Sequence, residues 1–124
     1  MKILFIGKFQ PPHLGHIITI NLLKEKFGKV EIGITEGKPR LISQNKVKDI
    51  FLEVYKYDKK IKVLKLKGAV DENTLVIKEK YKNIISGNKK ILHILKKKGH
   101  EVKFQPRSKG YLFSGRSLRK KILS

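Results

Sequence analysis

The apolar run Ile3-Leu4-Phe5-Ile6 leads directly into Gly7-Lys8-Phe9-Gln10-Pro11-Pro12-His13-Leu14-Gly15-His16, and from there into the periodic run Ile17-Ile18-Thr19-Ile20-Asn21-Leu22-Leu23. The first run reads as a short buried strand. The last has helical period, with Ile17, Ile20, Leu23 and Phe27 on one stripe, and Gly28 stops it. A strand that passes through a tight turn straight into a helix commits the chain to an α/β arrangement from its first residues.

The turn itself is chemically unusual. Gly7 is expected to let the backbone leave the strand with an uncommon dihedral and to let a ligand come close. Pro11 and Pro12 stiffen the loop and bias Gln10 and Pro11 away from helix. His13 and His16 stand three apart and share a face if the helix begins near them, and Gly15 between them leaves room against the first turn. A helix N-terminus attracts phosphate by itself. Two imidazoles added there make it a candidate site of phosphoryl or nucleotidyl chemistry. Two surface histidines in an ordinary loop are the bland alternative, which the prolines, the glycines and the place after a first strand weigh against.

The remainder repeats the alternation. A second strand is expected over 29–35, with Val30, Ile32 and Ile34 alternating. A helix capped by Ser43 or Asn45 should run to about Tyr57, with Val47, Ile50, Phe51 and Val54 inward. A third strand follows at 60–66, then a loop and a short helix capped by Asn73, and a strand at about 82–86. Asn88 opens a helix carrying Ile91, Leu92, Ile94 and Leu95, which Gly99 stops. His100–Phe104 reads as a fifth strand, and Ser114 caps a last helix to about Leu123. This order predicts a Rossmann-like, doubly wound, five-stranded parallel sheet with helices on both faces and right-handed crossovers, in one domain spanning 1–124. Ligands in such folds bind at the carboxyl ends of strands near the topological switch point, where Gly7, Ser86 and the loop before Ser114 fall.

A chain of 124 residues, 40% hydrophobic, suffices for one core. No run approaches the ~20 apolar residues of a membrane span, no signal peptide is legible, and the absence of cysteine removes disulfides and thiolate metal sites. A soluble cytoplasmic protein is expected. Thirty Lys and Arg against ten Asp and Glu leave a formal charge of +20, whose field attracts polyanions. Nucleic acid is one such partner; nucleoside triphosphates and phosphorylated small molecules are another. The lysines are spread along the chain rather than clustered with arginine and exposed aromatics, so nucleic acid is the less favoured of the two.

The string GKFQPPHLGH resembles the HxGH signature of the nucleotidyltransferase superfamily, and is most similar to the archaeal type of nicotinamide-nucleotide adenylyltransferase. Val30-Glu31-Ile32-Gly33-Ile34 resembles its second strand, Ser86-Gly87-Asn88 an SGN turn beside the nucleotide, and Ser114-Gly115-Arg116-Ser117-Leu118-Arg119 its terminal Ser-Gly-Thr-x-Ile-Arg motif. The resemblance implies an adenylyltransferase that moves AMP from ATP to nicotinamide mononucleotide or a similar phosphorylated acceptor, with Mg²⁺ carried by the triphosphate. His13, His16, Lys8 and Arg119 would act on the phosphates. Gly7, Phe9, Gln10, Gly15, Lys46, Ser86, Gly87, Asn88, Ser114, Gly115, Arg116 and Ser117 would bind the nucleotide, and no residue is expected to ligate metal directly. Glu36, Asp71 and Glu72 are the loop acids that would reach magnesium through water.

The sequence departs from the pattern at three places. Lys46 stands where arginine is usual and loses the bidentate fork. Arg116 stands at the usual hydroxyl position. No tryptophan is present to stack on a pyridine ring; Thr74-Leu75-Val76 is the nearest match. A cytidylyltransferase or phosphopantetheine-type adenylyltransferase, and a non-catalytic nucleic-acid binder on the same scaffold, remain alternatives. No membrane partner is expected, and a homo-oligomer stays open. His93 and His100 read as helix-face and strand-edge residues.

Overall fold

The computed structural model describes residues 2–37, 40–70 and 72–106. Five parallel strands form one sheet: β1 (Ile3–Gly7), β2 (Val30–Ile34), β3 (Ile61–Lys65), β4 (Asn83–Ser86) and β5 (Val102–Phe104), in the order β3-β2-β1-β4-β5. Three helices join them: α1 (Leu14–Phe27), α2 (Gln44–Val54) and α3 (Lys89–Lys97). Central β1 is paired on both sides, so Ile3 lies opposite Val30 and Asn83, and Phe5 opposite Ile32 and Ile85. A strand covered on both faces needs apolar residues at every position rather than at alternate ones, and Ile3 through Ile6 supply that run.

Two cores follow from the strand's alternation. On one face Ile3, Phe5, Ile32 and Ile85 pack with Ile20 and Leu23 of α1 and Val47 and Phe51 of α2. On the other, Leu4, Ile6 and Ile84 pack with Leu95 of α3, with Val70 and Tyr81 from the β3–β4 connection closing the layer. Tyr81 Oη donates to Glu31 Oε1 at 3.0 Å, and burial, reinforced by that carboxylate, pushes the phenol's pKa upward. Lys2 completes the group through ion pairs to Glu31 and Glu79.

Two expectations are corrected. The short helix capped by Asn73 does not form. Asn73 adopts φ +58 and Gly68 φ +90, and the segment closes as a turn in which Thr74 N–H donates to Ala69 O while Ala69 N–H donates to Thr74 Oγ1. A threonine hydroxyl bonded to nearby backbone competes directly with the helical ladder. Helix α2 ends at Val54 rather than near Tyr57. Val47 and Phe51, one turn apart, reach the sheet, Ile50 is partly covered, and Val54 on the last turn is 50% exposed instead of inward. Asp58 then turns the chain into β3, accepting from Lys24 Nζ at 2.6 Å and from Lys60 N–H at 2.9 Å.

Candidate active site

The chain leaves β1 toward β2 and β3 on one side, and leaves β4 toward β5 on the other. Their carboxyl ends therefore diverge, and a crevice opens between them. A cavity of about 340 Å³ lies there. Gly7, Lys8, Phe9, Gln10, His13 and His16 line it from the β1 side; Ser86, Gly87 and Asn88 line it from the β4 side.

His13 is the N-cap of α1, with extended backbone (φ −141, ψ 177), and its Nδ1 accepts from Gly15 N–H at 3.0 Å. His16 folds back, and its Nδ1 accepts from His13 N–H at 3.1 Å. This is a capping box in which two imidazoles replace the usual hydroxyl and carboxylate. The rings stack, centroids 3.8 Å apart and 25° between planes. An Nδ1 that accepts from an amide carries no proton, so each neutral ring holds its proton on Nε2 and donates from that edge. The fold thus stacks two imidazoles side by side at a helix N-terminus, itself a source of positive potential.

Phe9 lines the cavity as a largely buried side chain. It has φ +53 and is 5% exposed. Its ring meets His16 edge-on at 4.9 Å and Phe51 at 4.9 Å, so it is a core residue that props the His16 imidazole from below. Gly7 is corrected: the positive φ belongs to Phe9, and a Cβ on Gly7 would stand 3.1 Å from Phe9 Cζ. Glycine is needed there to admit the chain's own aromatic ring. Gln10 spends its amide on the neighbouring loop, accepting from Leu41 and Ile42 N–H at 2.8 and 2.9 Å and donating to Ile42 O at 3.0 Å. The carbonyl of Gly15 receives Thr19 Oγ1 at 2.9 Å.

Across the crevice, Ser86 ends β4 almost fully buried, and its Oγ receives Asn88 N–H at 3.1 Å. Asn88 caps α3, accepting from Lys90 and Ile91 N–H at 3.0 and 3.3 Å. Two helix N-termini, those of α1 and α3, thus meet at one cavity. Lys46 stays apart: its N–H donates to Ser43 Oγ at the start of α2, and it is not among the residues lining this cavity. Arg119, Ser114, Gly115, Arg116 and Ser117 lie outside the described residues.

A second cavity of about 190 Å³ continues from the first, sharing Lys8, Asn88 and Ile91. It adds Thr35, Glu36, Val70 and Lys90. Glu36 is held by Gly68, whose N–H donates to Glu36 Oε2 at 2.8 Å. Sequence reasoning named Glu36 only as a loop acid and passed over Thr35. The available signal was position: Thr35 directly follows a parallel strand, at its ligand-facing end.

Comparison with known proteins adds three findings. A family model described as cytidylyltransferase-like matches residues 4–106. Among solved structures, the NadR protein in complex with NAD and AMP-PNP superposes with a TM-score of 0.64 at 17% identity, covering 98% of this chain and 41% of that one. A bifunctional NMN adenylyltransferase/ADP ribose pyrophosphatase from Francisella tularensis, complexed with AMP and a manganese ion, gives a TM-score of 0.61 at 18% identity, covering 97% and 40%. The chain thus spans about two fifths of the length of the solved structures it resembles, and at these identities the likeness concerns the fold. No curated protein matches the chain.

Proposed function

The chain belongs to the cytidylyltransferase-like family, and from that premise we propose that it transfers a nucleotidyl group from a nucleoside triphosphate to a phosphorylated small-molecule acceptor, releasing pyrophosphate. The observation that carries this reading is the stacked pair His13 and His16, both with Nδ1 accepting from backbone amides at the start of α1, at the mouth of β1.

In the reaction an oxygen of the acceptor phosphate forms a bond to the α-phosphorus, and the bond from that phosphorus to the bridging oxygen breaks. A phosphate dianion needs no base to attack. The protein's work is to align the groups and to hold the charge that develops on the phosphoryl oxygens. Neutral imidazole N–H groups and the α1 N-terminus do this without reorganising, since the capping box already orients them. Lys8 neutralises the triphosphate tail. Ser86, Gly87 and Asn88 bring the α3 N-terminus against the nucleotide. The same reading assigns Arg119, with Ser114, Gly115, Arg116 and Ser117, to a second phosphate cradle, and gives Lys46 a long-range charge at most.

Magnesium fits as the companion of the triphosphate. It keeps several waters and leans on substrate phosphates, and among the described residues no group of three His, Cys, Asp or Glu gathers into a cage. When bound it would neutralise phosphate charge.

The neighbours with NAD, AMP-PNP and AMP, and the likeness to an NMN adenylyltransferase, support ATP as donor and nicotinamide mononucleotide or a similar phosphorylated acceptor. The name of the family model keeps CTP in the donor panel. The test is pyrophosphate release from ATP or CTP with Mg²⁺ and an acceptor panel. Release that falls at least about 100-fold in His16→Ala is expected; no release with any acceptor rejects the reading.

A further inference from the structure

We infer that the amino edge of the sheet, at the opposite end of the strands from the His13–His16 crevice, binds single-stranded nucleic acid through a row of lysines and the ring of Tyr57. Strand pairing sets Ile61, Val30, Ile3 and Asn83 side by side on β3, β2, β1 and β4. A lysine immediately precedes each of them: Lys60, Lys29, Lys2 and Lys82. Backbone bonds hold these lysines in line, Val30 N–H donating to Lys60 O and Lys82 N–H to Lys2 O, both at 2.9 Å. At the ~4.8 Å spacing of neighbouring strands the row spans about 14 Å. Lysines scattered in the sequence are thus gathered by the sheet.

The row is concave toward β3. A cavity of about 270 Å³ opens there, lined by Lys2, Lys29, Lys59, Lys60 and Lys62, with Glu31 the acid among them. Glu31 is already engaged, accepting from Tyr81 Oη and pairing with Lys2. Lys2 also pairs with Glu79, so the row's excess charge sits on the exposed Lys29, Lys60 and Lys82 and on their neighbours. Toward β5 two more ammoniums join. Lys26 and Lys103 both stand against Phe27, Nζ 5.5 and 5.2 Å from its ring centroid, and contact with Lys26 pushes the Lys103 pKa downward. Cations crowded in this way repel, and a polyanion laid along them relieves the repulsion.

Tyr57 supplies the second element. It lies in the turn between α2 and β3, two residues ahead of Lys59 on the cavity wall. It is 89% exposed, more than any other large hydrophobic side chain among the described residues, with Lys56 Nζ 5.3 Å from its ring centroid. The ion pair from Asp58 to Lys24 fastens the turn to α1. A ring this exposed adds nothing to the core; beside a cationic groove it is a platform on which a base stacks. The pairing of ring and row selects the class of polyanion. A duplex has no free base face to offer the ring. An anionic membrane is a plane that takes charge over an area and apolar residues into its depth, whereas these lysines form a line closing on a cavity. A single strand presents phosphates in a line and unstacked bases together. Lysines, as point charges without a planar fork, follow the backbone rather than read the bases.

The test is fluorescence anisotropy with the full chain and a labelled oligouridylate of about 12 nucleotides, within the ~4–16 nucleotides that single-strand sites cover. Wild type is expected to bind with a slope of log K against log[salt] of about −2 or steeper, from about three phosphate contacts at ~0.7 each. Combined Lys29→Gln, Lys60→Gln and Lys82→Gln should weaken binding at least about tenfold at about 0.1 M salt and flatten the slope by about 2. Combined Lys48→Gln, Lys65→Gln and Lys67→Gln removes the same charge from α2 and from the other end of β3, and should cost no more than about twofold. Tyr57→Ala should weaken binding about tenfold with the slope unchanged, and Tyr57→Phe should restore it. A duplex of the same length should bind wild type at least about fivefold more weakly. Equal loss in the two triple variants reduces the binding to net charge and overturns the inference. So does wild-type affinity in Tyr57→Ala, equal affinity for the duplex, or tighter binding to phosphatidylserine vesicles than to the strand.

Discussion

His13 divides two tasks between its two nitrogens. Nδ1 caps α1 through Gly15 N–H, and Nε2 is the edge to which the proposed function gives the donor role. The tasks can be separated by substitution. His13→Ala removes both and should lower the thermal midpoint by about 4 °C, the value of a lost cap of about 1 kcal/mol in a domain of this size. His13→Asn restores a good cap without an Nε2 donor. It should recover the midpoint, while both variants lose about 100-fold or more in kcat/KM for pyrophosphate release. Thermal unfolding beside the activity assay checks this, and an active His13→Asn would falsify the donor role. Gly7 supplies the complementary case. Gly7→Ala puts a methyl 3.1 Å from the Phe9 ring that props His16, and should cost about 1 kcal/mol and lower kcat roughly tenfold. The histidine pair was legible because its spacing and context are local. The packing of Phe9 was not, because its partners Phe51 and His16 come from different elements.

Among elements, the strands and helices with strong local signals formed where periodicity put them, and the β3–β4 connection did not. Thr74 and Asn73 read as the start of a helix, yet two turns of backbone bonding among residues 67–76, closed by the Lys67–Val76 antiparallel bridge, satisfy the same groups sooner. That segment also carries Gly68, which anchors Glu36. Gly68→Ala is expected to destabilise by at least about 2 kcal/mol in urea unfolding, since φ +90 disfavours a side chain and the new Cβ would lie 2.1 Å from Thr74 O. Retention of full stability would show that the turn is remade without its left-handed residue. The last expected helix, from Ser114, lies outside the described residues, so its phosphate cradle stands as a sequence-based proposal.

Over the whole molecule, charge sets the response to solution conditions. With a formal +20, cations crowd one another; contact with Lys26 pushes the Lys103 ammonium's pKa downward. Added salt, from about 0.05 to 0.5 M, should raise the thermal midpoint by screening that repulsion; a midpoint that falls would place net attraction above repulsion. Acid acts through a particular pair. The Lys24 ammonium, with the Lys60 N–H, holds the Asp58 carboxyl below the usual carboxylate range. A lowered folded value means that the ion pair stabilises above the ordinary carboxylate pKa of ~4 and that this contribution fades as pH falls through the folded value. Urea unfolding between about pH 6 and 2 should show the loss, and Asp58→Asn, costing about 0.5 kcal/mol at neutral pH for a partly exposed pair, should flatten it.

The fold's class and the histidine corner were written in local order: an unbroken apolar strand, a proline-stiffened turn and helical period need only neighbouring residues to be recognised. Which residues share a cavity was not, because that depends on sheet order. Pairing β1 between β2 and β4 sets Gly7, Thr35 and Ser86 at the ends of adjacent strands, although long stretches of chain separate them. The second cavity, with the buried Thr35 hydroxyl and the Glu36–Gly68 clasp, arises from that juxtaposition alone, since no spacing in one chain segment encodes a contact made across three strands.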